Sequence, residues 1–267
     1  MTIRPPESPL ETPLDGFRVE VDAERERGDI VLDRPPLNVV EMPQRDQLRA
    51  AFEALDADTR VRIIVVRAEG EHFSSGGNIK GFLDASPEHV SHLAWNIAAP
   101  ARCSKPVIAA NRGYCFGVGF ELSLACDFRI ATDTTRYALP EQRLGQIPGS
   151  GGSARLQKMI GITRTKDMVM RGKRIPGPQA LDWGFVTECV ADAELERATD
   201  ALADELRAFA PMAQRTAKRL INDNEDAGLS VAIEMEGHCY SRLRTSDDFR
   251  EGVEAFHGKR KPDFQGR

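Results

Sequence analysis

The sequence predicts an α/β fold. Three features carry that prediction: short β-branched runs bounded by turn residues, amphipathic helical stretches between them, and a final third that is almost wholly helical. Val61-Arg62-Ile63-Ile64-Val65-Val66 is a run of the kind found in a strand covered on both faces. Pro106-Val107-Ile108-Ala109-Ala110 and Cys126-Asp127-Phe128-Arg129-Ile130-Ala131 are two more. Ahead of them, residues 17–22 and 29–33 cluster β-formers around the charged turn Glu24-Arg25-Glu26-Arg27-Gly28. From about Gln44, the residues Leu48, Ala51, Phe52 and Leu55 recur at the spacing of one apolar helix stripe. Helical stretches follow at 88–101 and 119–125, and the alternation argues for repeated β-β-α or β-α-β units. Residues 201–210, 212–222, 229–243 and 247–256 then read as helices with almost no strand signal. Pro5, Pro6, Pro9 and Pro13 interrupt the start, so 1–16 reads as a flexible arm ahead of an α/β body over 17–193 and a helical segment over 194–267.

Composition narrows the function. A chain of 267 residues, 41% hydrophobic and 29% charged, buries a sizeable core without disulfides or metals. Its 36 basic and 41 acidic residues leave a net charge of −5, which offers no general attraction to nucleic acid or anionic membranes. Any anionic ligand must be met by local cations or oriented backbone N–H groups. Cys103, Cys115, Cys126, Cys189 and Cys239 are unpaired in spacing and read as small buried hydrophobes of a reducing compartment. The five histidines form no metal-binding spacing, so no metal is expected. No run approaches the ~18 apolar residues of a membrane span. The acidic, Pro-rich start lacks the apolar stretch of a secretory signal, and a cytoplasmic location is expected. Trp95 and Trp183 read as core residues.

Three glycine-rich segments fall where a backbone must approach something closely. They are His72-Phe73-Ser74-Ser75-Gly76-Gly77-Asn78-Ile79-Lys80, the stretch from Asn111 to Leu122 containing Phe116-Gly117-Val118-Gly119, and the stretch from Pro140 to Gly152. Neither dinucleotide nor P-loop fingerprints fit them. Gly117-Val118-Gly119 follows a strand and opens a helix, whose first N–H groups could hold a phosphate, a carboxylate or a developing oxyanion. Tight turns and close packing would account for the same glycines.

These segments, together with Pro36-Leu37-Asn38 and the C-terminal Glu251-Gly252-Val253-Glu254-Ala255-Phe256, resemble the crotonase superfamily, also called the enoyl-CoA hydratase/isomerase family, from about Phe17 to Phe264. The resemblance implies a spiral of β-β-α units with C-terminal helices that mediate trimers or dimers of trimers. It implies an acyl-CoA substrate, with no separate cofactor, whose thioester oxygen is held by the N–H groups of Gly77 and Val118. Val118 departs from the glycine common there, and its β-branch predicts a negative φ and added bulk beside the acyl group. Glu121 and Glu141 fall where family hydratases carry two catalytic glutamates, able to hold one water between an acceptor and a donor of protons. Both are retained, which favours hydration over the single-carboxylate reactions. Hydrolysis of the thioester or of a C–C bond, and isomerisation, are the alternatives, and non-catalytic RNA binding is disfavoured by the charge. Leu37, Gly76, Asn78, Ile79 and Lys80 would line the CoA path, with Phe256 and Lys259 reaching CoA from a neighbouring subunit. Asn78 stands where the family often has aspartate, and Arg34 is a further candidate cation.

Overall fold

Strand β1 (Phe17–Asp22) folds back antiparallel on β2 (Arg27–Leu32) in the computed structural model, which describes residues 14–83 and 85–267. Helix α1 (Met42–Ala57) follows, then β3 (Ile63–Ala68), α2 (Pro87–Ile97) and α3 (Ala99–Arg102). Two strand pairs come next: β4 (Val107–Asn111) with β5 (Tyr114–Phe116) before α4 (Val118–Ala125), and β6 (Phe128–Thr132) with β7 (Arg136–Ala138) before α5 (Gly152–Arg171). The body closes with β8 (Ile175–Pro176), α6 (Gly177–Trp183) and β9 (Glu188–Val190). Helices α7 (Leu195–Arg207), α8 (Pro211–Asp223), α9 (Leu229–Leu243) and α10 (Asp247–Gly258) complete the chain.

The strands form two sheets. One has the order β1-β2-β3-β4-β6-β9 and is parallel from β2 onward; the other has the order β5-β7-β8, with β5 and β7 parallel. The β4-β5-α4 and β6-β7-α5 turns therefore each send their first strand to the large sheet and their second to the small one, as in the spiral the resemblance implied.

The β3 run is covered on both faces, as its apolar composition predicts. Ile64 and Val66 join the cluster containing Leu48, Phe52 and Leu55 of α1, while Ile63 and Val65 face Leu195, Ala198 and Leu206 of α7. Lys218 of α8 is buried and pins that helix to the body. Its Nζ lies 2.7 Å from Asp127 Oδ2 and donates to the carbonyls of Pro100 and Lys105. In contrast α9 buries no residue, and leaves Leu229, Ile233 and Tyr240 exposed.

Several details differ from the sequence reading. The helix expected over 88–101 is two helices, with Pro100 in the first turn of the second. Trp95 is 60% exposed, not core, and stacks under the Arg102 guanidinium at 3.6 Å from the ring centroid. Helices α5 and α6 and the three-stranded sheet had no counterpart in the sequence reading; Gly161, at φ 79°, interrupts α5 and blurs its period. Of the arm expected over 1–16, residues 1–13 lie outside the described residues, whereas Leu14 packs on the core and the Asp15 N–H donates to Gln47. Among the described residues no helix is long and apolar enough to cross a membrane.

Candidate active site

Sequence motifs converge because parallel strands deliver their C-terminal ends to one edge. Strand β5 leads into Gly117-Val118 and its partner β7 leads, three residues later, to Glu141; the Gly117 N–H donates to Ala138 O at 3.0 Å between them. The 74–77 segment lies alongside β5: the Ser74 N–H donates to Tyr114 O, and the Phe116 N–H to Ser74 O. The 37–40 loop flanks it in turn, with the Ser75 N–H on Leu37 O and the Val40 N–H on Gly76 O. Asn38 holds that loop through its side-chain amide, which donates to the carbonyls of Glu69 and His72, and sits at φ 48° where asparagine is tolerated. All three glycine-rich segments meet here.

Two glycines are required by the geometry. Gly117 adopts φ 51°, ψ −129°, a conformation closed to L side chains, and a methyl group built there would stand 3.2 Å from Glu141 Oε1. At Gly119 an added methyl would lie 2.5 Å from Ser74 Cβ, so only glycine lets α4 approach the 74–77 segment. Val118 is the first residue of α4 and has the negative φ expected of it. Its N–H belongs to the first helical turn, which has no intrahelical acceptor, and neither it nor the Gly77 N–H donates to any described residue. Gly76 and Gly117 stand close together: a methyl built on Gly117 would lie 3.6 Å from Gly76 Cα. Gly77 and Val118, each next in sequence to one of these glycines, thus carry two free amides on adjoining segments.

Glu121, one turn into α4, leans back toward that helix N-terminus. It is 3% exposed, and its Oε1 accepts from the N–H groups of Ser150 at 2.6 Å and Gly152 at 3.0 Å. These donors come from the Gly149-Ser150-Gly151-Gly152 run that opens α5, a role the sequence reading did not assign. Burial pushes the Glu121 carboxyl above the ordinary carboxylate range, against the pull of those two N–H groups and of the Arg45 and Arg155 charges. Glu141 opens the short 3-10 turn Glu141–Leu144 and is only partly buried, yet its Oε2 is sealed from solvent with no hydrogen-bond partner among the described residues. Burial, and then the Glu121 charge, push its pKa up to about 7. The two carboxyls therefore differ: one is fed by donors that favour its anion, the other is poised to hold a proton at neutral pH.

Other predicted residues divide in two groups. Gly76 is buried in the cluster, whereas Leu37, Ile79 and Lys80 are exposed, Ile79 to 55%. The Asn78 side chain is committed locally: its amide donates to both Glu41 oxygens at 2.9 Å, and its Oδ1 accepts from the Lys80 N–H. Arg34, suggested as a phosphate cation, is instead held by Val39 O, Gln44 and Asp15. Phe256 is 80% exposed on α10, edge-on to His257, and no hydrogen bond or ion pair among the described residues joins it or Lys259 to the cluster. Cys115 is buried in the core, as a packing residue should be. Among the described residues no group of three His, Cys, Asp or Glu could hold a metal ion. One residue of the cluster, Arg45, gave no sequence signal beyond its position in the first turns of α1.

Comparison with known proteins agrees with this fold. Residues 26–267 match the family described as enoyl-CoA hydratase/isomerase. A Rhizobium meliloti (strain 1021) protein named "Probable enoyl-CoA hydratase" is 35% identical over 253 residues, covering 92% of this chain and 97% of that protein. Carnitinyl-CoA dehydratase of Salmonella arizonae is 35% identical over 251 residues, covering 89% and 94%. Among solved structures, an enoyl-CoA hydratase of Bacillus anthracis superposes with a TM-score of 0.88 at 30% identity, covering 95% of this chain and 100% of that one. A Geobacillus kaustophilus enoyl-CoA hydratase subunit reaches 0.90 at 31% identity, covering 96% and 100%. The family match over residues 26–267, the identity to relatives across nearly their whole length and the shared α/β fold make this chain a member of the enoyl-CoA hydratase/isomerase family of enzymes.

Proposed function

We propose that the protein is a hydro-lyase that adds water reversibly to the C2=C3 double bond of an enoyl-CoA thioester, with Glu121 and Glu141 as its catalytic residues. The observation that carries this reading is the unequal carboxylate pair beside two amide N–H groups that have no acceptor among the described residues. The thioester oxygen accepts from the N–H groups of Gly77 and Val118. As water attacks C3, negative charge develops on that oxygen, and donors fixed in advance bind it more tightly than the ground-state carbonyl. Each such donor is typically worth about 3–4 kcal/mol.

Glu121, as the anion, takes one proton from the attacking water while the water oxygen bonds to C3. Protonated Glu141 gives its proton to C2. The product gains hydrogen at C2 and hydroxyl at C3, and the pair returns to its starting protonation by exchange with solvent. CoA reaches the site past Leu37, Gly76, Ile79 and Lys80. Phe256 and Lys259 meet it from a neighbouring copy in a trimer or a dimer of trimers, a reading supported by the exposed apolar face of α9. The names hydratase and dehydratase among the relatives describe one exchange of water and double bond read in opposite directions.

The test is the loss of conjugated-thioester absorbance when enoyl-CoA substrates meet the protein. Glu121→Gln and Glu141→Gln should each abolish it while CoA binding survives. Undiminished turnover in both variants would refute the assignment, and release of free thiol without hydration would make the enzyme a thioester hydrolase.

A further inference from the structure

Among the described residues the guanidinium groups of Arg129 and Arg27 are satisfied, and that of Arg45 is not. Arg129 donates to the carbonyls of Phe185, Ser123 and Cys126, and Arg27 is paired with Asp29 and Asp200. Arg45 is 3% exposed yet has no hydrogen bond and no ion pair among the described residues, and its Nε is sealed from solvent without an acceptor. Its guanidinium lies over the Phe82 ring, 5.1 Å from the centroid. A methyl group built on Gly77 would stand 2.8 Å from Arg45 Nη2, so this cation borders the amide that faces the thioester oxygen. Glu121 is the charge whose field reaches it, but not within ion-pair distance, and Glu121 Oε1 is already taken by Ser150 and Gly152.

A buried cation without acceptors destabilises the free protein, and a planar guanidinium is matched by the two oxygens of a carboxylate. We propose that Arg45 is a specificity-determining residue that receives a second carboxylate carried by the acyl group, so that the preferred substrates are enoyl-CoA thioesters of dicarboxylic acids. This rests on the acyl-CoA reading above. The position beside Gly77 places the cation at the acyl end of the ligand rather than at the CoA phosphates. A plain alkyl chain would leave the guanidinium unpaired; a carboxylate would replace the missing acceptors and balance the charge.

Matched pairs of short-chain trans-enoyl-CoA thioesters, one ending in a carboxylate and one in a methyl group, give the test. The wild-type kcat/KM ratio should favour the carboxylated partner by about tenfold or more, the scale set by hydrogen bonds to a charged group. In Arg45→Gln that ratio should collapse to near unity or reverse, and Arg45→Lys should keep part of it. The ratio of Kd values for the two saturated analogues, measured by calorimetry, should move in parallel and does not depend on turnover or on the fraction folded. A wild-type ratio at or below unity would overturn the proposal. So would an equal loss on both partners in Arg45→Gln, which would leave Arg45 a support for Glu121. Selective binding of the carboxylated analogue by a protein that hydrates neither partner would uphold Arg45 and sink the hydratase reading instead.

Discussion

Replacing Glu141 by glutamine should stabilise the protein in mildly alkaline solution while disabling the chemistry. In the native state the Glu141 carboxyl is held at about 7 against an ordinary 4.5, because burial and the neighbouring Glu121 charge oppose its ionisation. Between those two values the folded protein keeps a proton that the unfolded chain has released. Stability therefore falls as pH rises through this window, and the full penalty is present above it. At about 1.4 kcal/mol per tenfold change in the protonation equilibrium, the penalty is at most about 3.5 kcal/mol, and solvent reaching the partly buried group brings it to about 1–3 kcal/mol. Glutamine has nothing to ionise. Urea unfolding of wild type and Glu141→Gln at about pH 5 and about pH 8 measures the difference. The wild type should lose about 1–3 kcal/mol more than the variant over that interval. Parallel pH dependences would show that Glu141 is not held protonated, and would remove the reason for assigning it the acid's role.

Three further predictions follow from the same geometry. Hydration should show a bell-shaped pH profile, its alkaline limb falling near 7 as Glu141 loses its proton and its acid limb set by the raised Glu121; a rate flat across pH 7 would contradict the assignment. Gly117→Ala forces a side chain into φ 51° and against Glu141 Oε1, so it should lower both stability, by about 1–3 kcal/mol, and kcat; an active, fully stable variant would contradict the geometry. Lys218→Met removes the buried cation from partly buried Asp127 and should destabilise the protein by about 3–5 kcal/mol in denaturant titrations, whereas a change under about 1 kcal/mol would mean that α8 is not anchored this way.

The parts of the fold that announced themselves were those with a strong local signature. The β-branched run at 61–66 and the Leu48, Ala51, Phe52, Leu55 stripe read directly, because burial on both faces makes a continuous apolar run and burial on one face a periodic one. Boundaries slipped by two residues at β3, where Val61 is buried but lies before the strand. The three-stranded sheet was invisible: β5, β7 and β8 are only two or three residues long, too short for any period. In the candidate site, Glu121, Glu141, Gly77 and Val118 could be singled out from motifs, two of whose glycines the structure requires by φ or by close approach. The Ser150 and Gly152 donors were hidden because a backbone N–H leaves no mark on residue type. Arg45 was hidden for a different reason: an arginine at a buried helix position reads as one more polar residue until its neighbours in space are known.

The claim on which the rest depends is that one water is steered to C3 of an intact thioester. Mass spectrometry of the product formed from an enoyl-CoA in water labelled with heavy oxygen tests it most directly. The account predicts a single heavy oxygen in a hydroxyacyl-CoA whose thioester is whole, formed by wild type and lost with Glu121→Gln or Glu141→Gln. Heavy oxygen in a free carboxylic acid, with CoA released, would contradict it.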